Sequence, residues 1–244
     1  MNAEEYGRMF EYEDRYWWFV GRRELALRLL DQHLAGRTDA TMLDLGCGAG
    51  VVLGELGKRG KAVGVDMSDI ALGFSGQRGL PRLVQGDGVA LPFADNQFDA
   101  VVGLDVFEHI EDDMAAFAET FRVLKPGGTV TLSVPAFKWL WGPHDVALMH
   151  FRRYVRNDLR KKLAESGFEV VRCSYSVFLL FPFIVVFRLF QKRKKGPPRA
   201  SLIQVPGWLN RALIGIQNLE ASWLCRWNLP WGSSLIAVAR KPKD

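Results

Sequence analysis

The chain has 244 residues, of which 48% are hydrophobic and 24% charged, with a formal net charge of +5. This is ordinary globular composition, long enough for one domain with an elaboration, and it excludes a disordered chain or a fibre. Three scattered cysteines, Cys47, Cys173 and Cys225, exclude a disulfide framework and a Cys-based zinc site, and they point to a reducing, cytoplasmic compartment.

In chain order, the first nineteen residues are acidic and aromatic, which is unlike a signal peptide. They end in Tyr16-Trp17-Trp18-Phe19, followed by Arg22 and Arg23. Leu25, Leu29, Leu30 and Leu34 then recur at helical spacing, which predicts a helix over 22–35 stopped at Gly36. A short apolar strand enters a glycine-rich turn, Asp44-Leu45-Gly46-Cys47-Gly48-Ala49-Gly50, and a helix is expected over 51–59. Strands are expected at 61–68, 81–87 and 98–105. A helix follows over 114–124, closed by Lys125-Pro126-Gly127-Gly128 before a fifth strand at 129–135. An amphipathic helix (156–166) and a sixth strand (168–176) come next, and 233–241 is the last strand candidate. Strands alternating with helices mean βαβ units, an α/β fold with a parallel sheet.

The turn has GxGxG spacing, not the GxGxxG of dinucleotide sites. Asp66 ends the second strand about 20 residues on, where a carboxylate can take ribose hydroxyls, and Gly86-Asp87 closes the third. With 91–110 (LPFADNQFDAVVGLDVFEHI) and LKPGG in the same order, this series resembles the class I S-adenosylmethionine-dependent methyltransferases over roughly residues 40–176. The resemblance implies a Rossmann-like, doubly wound, seven-stranded sheet whose last strand is antiparallel. It makes 1–40 an N-terminal helical lid, 41–176 plus 233–244 the cofactor-binding core, and 177–232 an insertion between strands six and seven. S-adenosyl-L-methionine is the implied cofactor, leaving as S-adenosyl-L-homocysteine. Asp44, Gly46, Cys47, Gly48 and Gly50 are expected around its methionine part and Asp66 on its ribose. Met67 is expected against the adenine, with Asp87 and Gly88 at the amine edge and Leu104 near the sulfonium. Trp18 and Arg22 are the lid's expected contacts, the arginine on the cofactor carboxylate.

After strand four the chain reads Leu104-Asp105-Val106-Phe107-Glu108-His109, where enzymes acting on bases or glutamine carry Asn/Asp-Pro-Pro-Phe/Tyr. Nucleic acid is therefore not an expected partner. The pattern looks like the E-x-x-E-H of small-molecule methyltransferases, including the O-methyltransferases of ubiquinone biosynthesis, but the first acid is Asp105, so no metal is expected. Past strand five, His144-Asp145 and His150 lie where an Asp-oriented imidazole can deprotonate a hydroxyl. His144 is the first candidate base and His150 the second, with His109 and Asp145 completing the catalytic set. Arg152 and Arg153 either hold an acidic group of the acceptor or pair with Asp145.

Residues 177–232 carry eight basic residues against the single acid Glu220, a net +7 that leaves −2 for the rest. The apolar run Val177–Phe187 is broken by Pro182 and ends at Arg188, too short to span a bilayer. Two helices, about 177–191 and 206–224, joined by a basic Gly196-Pro197-Pro198 turn, are expected. Four tryptophans (Trp208, Trp223, Trp227, Trp231) and the Lys/Arg cluster give this insertion the look of an interfacial anchor at the inner face of a membrane. A dimer interface or a substrate lid are the alternatives. The expected activity is methyl transfer to a hydroxyl of a small or lipid-linked acceptor. The alternatives are N- or C-methylation of a soluble metabolite, or a non-enzymatic binding protein.

Overall fold

The computed structural model describes residues 3–80, 82–193 and 204–243. The strands are β1 (Thr41–Leu45), β2 (Lys61–Asp66), β3 (Leu83–Gln85), β4 (Phe98–Leu104), β5 (Leu124–Pro135), β6 (Glu169–Ser176) and β7 (Ser234–Arg240). They form one sheet in the order β3-β2-β1-β4-β5-β7-β6. β7 runs antiparallel to both β5 and β6, and the other neighbours are parallel. This is the expected Rossmann-like architecture.

The nine α-helices of the described residues are α1 (Ala3–Tyr12), α2 (Trp17–Leu34), α3 (Val51–Gly57), α4 (Asp69–Gln77), α5 (Asp113–Val123), α6 (Pro143–Ala147), α7 (Arg156–Glu165), α8 (Phe181–Arg193) and α9 (Gly207–Leu224). Alternate strand residues enter two apolar cores. Leu43, Val101 and Leu132 pack with Phe117 and Leu159 on one face. Met42, Ala100 and Val102 pack with Leu29, Leu30, Leu56 and Leu224 on the other. Both faces are covered, as a mainly parallel sheet requires.

Two expected boundaries move, each for a tertiary reason. α2 begins at Trp17, five residues before the expected start, because its first N–H is capped from far away: Asn210 Oδ1 of α9 accepts from Trp17 N at 2.9 Å. Lys125-Pro126-Gly127-Gly128 does not separate a helix from a strand. The strand already starts at Leu124, paired with Phe98, and the extra residues are taken up in a bulge that carries Gly127 at φ +82°.

The insertion does contain two helices, at 181–193 and 207–224 rather than 177–191 and 206–224. The expected turn at Gly196-Pro197-Pro198, with Lys194, Lys195 and Arg199, lies outside the described residues. α9 lies along α2. Gly21 allows that approach, since a Cβ there would stand 2.8 Å from Gln217 Cβ. Gln217 and Arg28 tie the pair together through Trp17 O, Asn218 and Ser222. Glu220, the insertion's lone acid, is buried and accepts from Leu179 N at 3.0 Å, fixing the chain where it leaves β6.

Candidate active site

The strand order reverses direction between β1 and β4, and the crevice beyond the carboxyl ends of such strands is where open α/β sheets bind ligands. A cavity of about 700 Å³ opens there. Its floor is the glycine turn and the ends of β2, β3 and β4. Its roof is α1 and the start of α2, and its far wall comes from 140–153 and α8.

At the cofactor end, Gly48 has φ +55° and donates its N–H to Asp66 Oδ2 at 2.9 Å. A Cβ on Gly48 would stand 2.3 Å from Met9 Cε, so the turn and α1 meet at van der Waals range only because position 48 has no side chain. Asp66 Oδ1 accepts from Ser68 N, which presents the carboxylate rigidly at the end of β2. Gly46, Gly48, Asp66, Met67, Asp87, Gly88 and Leu104 all line the cavity, as do Trp18 and Arg22 of α2. Asp44, Cys47 and Gly50 do not. They are buried behind that wall, where Gly50 opens α3 and the Cys47 thiol lies against Gly64. Burial, and then the neighbouring acids Glu13 and Asp66, push the Asp44 carboxyl well above its ordinary range. Its Oδ2 has no hydrogen-bond partner among the described residues.

Arg22, expected on the cofactor carboxylate, is ion-paired to Asp105, which also accepts from Ser133 Oγ at 3.0 Å. Asp105 holds φ +54° directly after β4. Phe137 after β5 and Val177 after β6 are likewise left-handed, at φ +60° each. Such backbone costs on the order of 1–3 kcal/mol per residue, and the first two positions follow strands, β4 and β5, whose ends border the cavity.

The acceptor end is built by the segment after β5. Asp145, in α6, is fully buried. Its Oδ2 accepts from Gly142 N at 2.9 Å, which closes the first turn of α6. Its Oδ1 accepts from His150 Nδ1 at 3.0 Å and from Arg153 Nε at 2.7 Å. Burial raises the Asp145 carboxyl, but the bond from His150 and the charge of Arg153 outweigh it, so the group sits below its ordinary range and is ionised. The carboxylate that the sequence puts beside His144 thus orients His150. His144 lines the cavity with its ring centroid 6.2 Å from that of His150, and burial followed by the Arg188 charge holds it well below the usual imidazole range. His109 stacks edge-on to His150 at 4.6 Å, and burial, then His150, lowers it to about 3.

Of the two adjacent arginines, Arg153 pairs with buried Asp145. Arg152 instead pairs with Asp113 at 2.8 Å, in a structural cluster with Lys162 and the fully buried Tyr154 hydroxyl.

Glu108 is fully buried, and neither carboxyl oxygen has a hydrogen-bond partner among the described residues. Burial, then Asp105, raises it well above the ordinary range. Glu108, His109 and His150 each bring one ligand atom within 4.8 Å of the others, a set of types that suits a divalent cation and that the sequence reading had left without a metal. The sequence also missed Tyr6 and Met9 of α1 and Ile184, Phe187 and Arg188 of α8 as lining residues. The spacing of 184, 187 and 188 on one helical face is a local signal, but nothing local says which face turns inward.

A methyltransferase-domain family model matches residues 43–132. A protein of Mycolicibacterium smegmatis described as a probable S-adenosylmethionine-dependent methyltransferase is 31% identical over 165 residues, 65% of this chain and 61% of that one. The demethylmenaquinone methyltransferase of Corynebacterium efficiens is 38% identical over 115 residues, 44% of this chain and 50% of that one. The chain thus spans half to three-fifths of the length of these two relatives. Among solved structures, the phosphoethanolamine N-methyltransferase 2 of Haemonchus contortus, in complex with S-adenosyl-L-methionine, superposes with a TM-score of 0.61 at 18% identity, covering 89% of this chain and 52% of that one. The chain solved with the Trm112 methyltransferase activator of Haloferax volcanii gives 0.64 at 20% identity, covering 97% and 94%. These two likenesses concern the fold. The site fits the cofactor such domains use: the glycine turn and the Asp66 carboxylate, which Gly48 N and Ser68 N hold at the end of β2, line the cavity together and offer acceptors to the hydroxyls of a nucleoside. Residues 43–132 are thus a methyltransferase domain, similar to that of S-adenosylmethionine-dependent methyltransferases.

Proposed function

We propose that the chain transfers a methyl group to a hydroxyl of a small or lipid-linked acceptor at a membrane surface. The observation that carries this reading is the Asp145–His150 hydrogen bond at one end of a cavity whose other end is the glycine turn. When bound, S-adenosylmethionine supplies an electrophilic methyl on a sulfonium. Asp145 accepts the hydrogen bond of Nδ1–H and so fixes the tautomer that leaves Nε2 of His150 free to accept a proton. Nε2 of His150 would take the proton of the acceptor hydroxyl as the methyl passes from sulfur to that oxygen, the C–S bond breaking as the C–O bond forms and the sulfur leaving as a neutral thioether. Arg153 holds Asp145 ionised throughout. Trp18, Phe19 and Leu140 close apolar surface around the reacting groups, so alignment and exclusion of water are the protein's main contributions.

The membrane part rests on α8. Ile184, Phe187 and Arg188 turn to the cavity, while Phe183, Val186, Leu189 and Phe190 are exposed, Phe183 to 74% and Phe190 to 61%. One helix therefore offers apolar surface both to the cavity and to the outside, and the basic run of the sequence follows it directly. Among the described residues no helix is long and apolar enough to cross a membrane, so the contact is peripheral. The test is methyl transfer from labelled donor to lipid and quinone extracts, with mass analysis of the product. A labelled O-methyl ether supports the reading. Label found only on nitrogen or carbon overturns the hydroxyl assignment.

A further inference from the structure

The acceptor end of the cavity holds two guanidinium groups around one ionised carboxylate. Arg153 is almost wholly buried, and its donors are engaged: Nε by Asp145 and Nη1 by Ala136 O at 2.9 Å. Arg188 reaches the same carboxylate from α8, with 13% of its side chain exposed. Its Nη1 stands 3.8 Å from Asp145 Oδ2, inside ion-pair range but beyond hydrogen-bonding distance. That oxygen is already taken by Gly142 N. Arg188 Nη1 is buried and has no hydrogen-bond partner among the described residues.

The charges acting on Arg188 are those of Arg153 and Asp145, and the repulsion from Arg153 is the larger. Burial and that repulsion lower Arg188 only to about 10, so it stays a cation at neutral pH. One carboxylate thus answers Arg153, and Arg188, a second cation that lines the cavity, keeps a buried donor without a hydrogen bond. A buried cationic donor that lacks a hydrogen bond is costly, and a matching anion relieves that cost. The lining beside it, Leu140, Ile184 and Phe187, is apolar.

Resting on the methyltransferase reading above, we infer that Arg188 is the specificity residue for an acidic acceptor: a molecule with an apolar body and an oxyanion, carboxylate or phosphate, that pairs with the Arg188 guanidinium and sets the hydroxyl at His150. The two residues are joined through the one carboxylate, Asp145, that both approach. On this assignment the insertion does more than cover the site, because its first helix supplies the group that selects the substrate. A neutral isostere leaves the donor unpaired and is rejected for that reason.

The test is calorimetric titration of the full chain, first with S-adenosylhomocysteine and then, with that ligand saturating, with benzoate, phenyl phosphate and benzamide. At least one anion should bind tenfold or more tighter than benzamide, and the preferred one tells a carboxylate acceptor from a phosphate acceptor. Arg188→Gln should abolish the preference, with S-adenosylhomocysteine affinity unchanged as proof of folding. Arg188→Lys should keep part of it, because the charge remains while the planar fork is lost. Equal binding of benzamide and both anions, or an anion preference that survives in Arg188→Gln, overturns the inference alone. Failure of the unmodified chain to bind S-adenosylhomocysteine overturns the underlying reading and the inference with it.

Discussion

Asp145 Oδ1 accepts a hydrogen bond from His150 Nδ1 at 3.0 Å, inside a segment that winds back on itself so that His150 N also donates to Asp145 O at 2.9 Å. The same oxygen accepts from Arg153 Nε, Oδ2 accepts from Gly142 N, and His150 lines the cavity. A fixed acid, an oriented imidazole and a cavity that reaches the glycine turn make His150 the residue whose loss discriminates best.

His150→Gln should lower kcat by about 10²- to 10⁴-fold, the usual contribution of a positioned base, while S-adenosylhomocysteine affinity stays within about twofold. Steady-state kinetics and ligand titration on the same preparation check both. Undiminished kcat would remove the base role. Asp145→Asn is the poorer variant, because it also strands the buried Arg153, at a cost of about 3–5 kcal/mol of stability.

Glu108, His109 and His150 could instead hold a cation. If His150 acts as a base, treatment with a chelator leaves turnover within about twofold. A large loss that added magnesium or zinc restores would reassign the trio to metal binding.

Gly48→Ala places a methyl group 2.3 Å from Met9 Cε at a residue with φ +55°. Left-handed backbone costs a non-glycine residue about 1–2 kcal/mol, and the contact adds to it. The variant should lose stability in denaturant titration and bind S-adenosylhomocysteine at least tenfold more weakly. Adding Met9→Ala should relieve the contact and leave the backbone cost of about 1 kcal/mol. Full recovery in the double variant would contradict the backbone argument.

Glu13 follows α1 directly and is buried beside Arg78, whose Nη2 is 3.1 Å away. Burial outweighs that ion pair and raises the carboxyl from 4.5 to about 7. The folded chain therefore binds this proton more tightly than the unfolded chain does. The resulting stabilisation is complete below pH 4.5 and is lost as pH rises to about 7. Glu13→Gln should remove this share. Relative to the parent, the variant should gain about 3 kcal/mol on going from pH 4.5 to above pH 7, read from denaturation midpoints. A difference that stays flat across that window would show Glu13 ionised throughout.

Phe183 and Phe190 point outward on α8. Phe183→Asp with Phe190→Asp should cut flotation on phosphatidylglycerol vesicles at least tenfold, since each buried phenyl ring is worth about 1.5–3 kcal/mol. Turnover of a water-soluble acceptor should be unaffected. Flotation equal to that of the parent chain would remove the membrane contact.

The sequence by itself determined the sheet, the glycine turn and the acids that end β2 and β3. These are local facts: a period-2 or period-3.6 pattern, a turn that only glycine allows, and a carboxylate at a strand end. The arithmetic of charge also belonged to the sequence, which concentrated the excess of basic residues in one insertion. Only the tertiary structure decided which histidine meets Asp145. Residues 144 and 145 are adjacent in the chain, but the winding of 142–150 carries His150 onto the carboxylate. The same holds for α2, whose start is capped by Asn210, and for α1, whose Met9 fills the space above Gly48. It holds most of all for Arg188, read along the chain as the end of an apolar run and found lining the cavity with a buried donor that lacks a hydrogen bond. The last three depend on contacts between segments roughly 40 to 190 residues apart, and hydrogen bonding or desolvation at that range leaves no periodic trace in either segment.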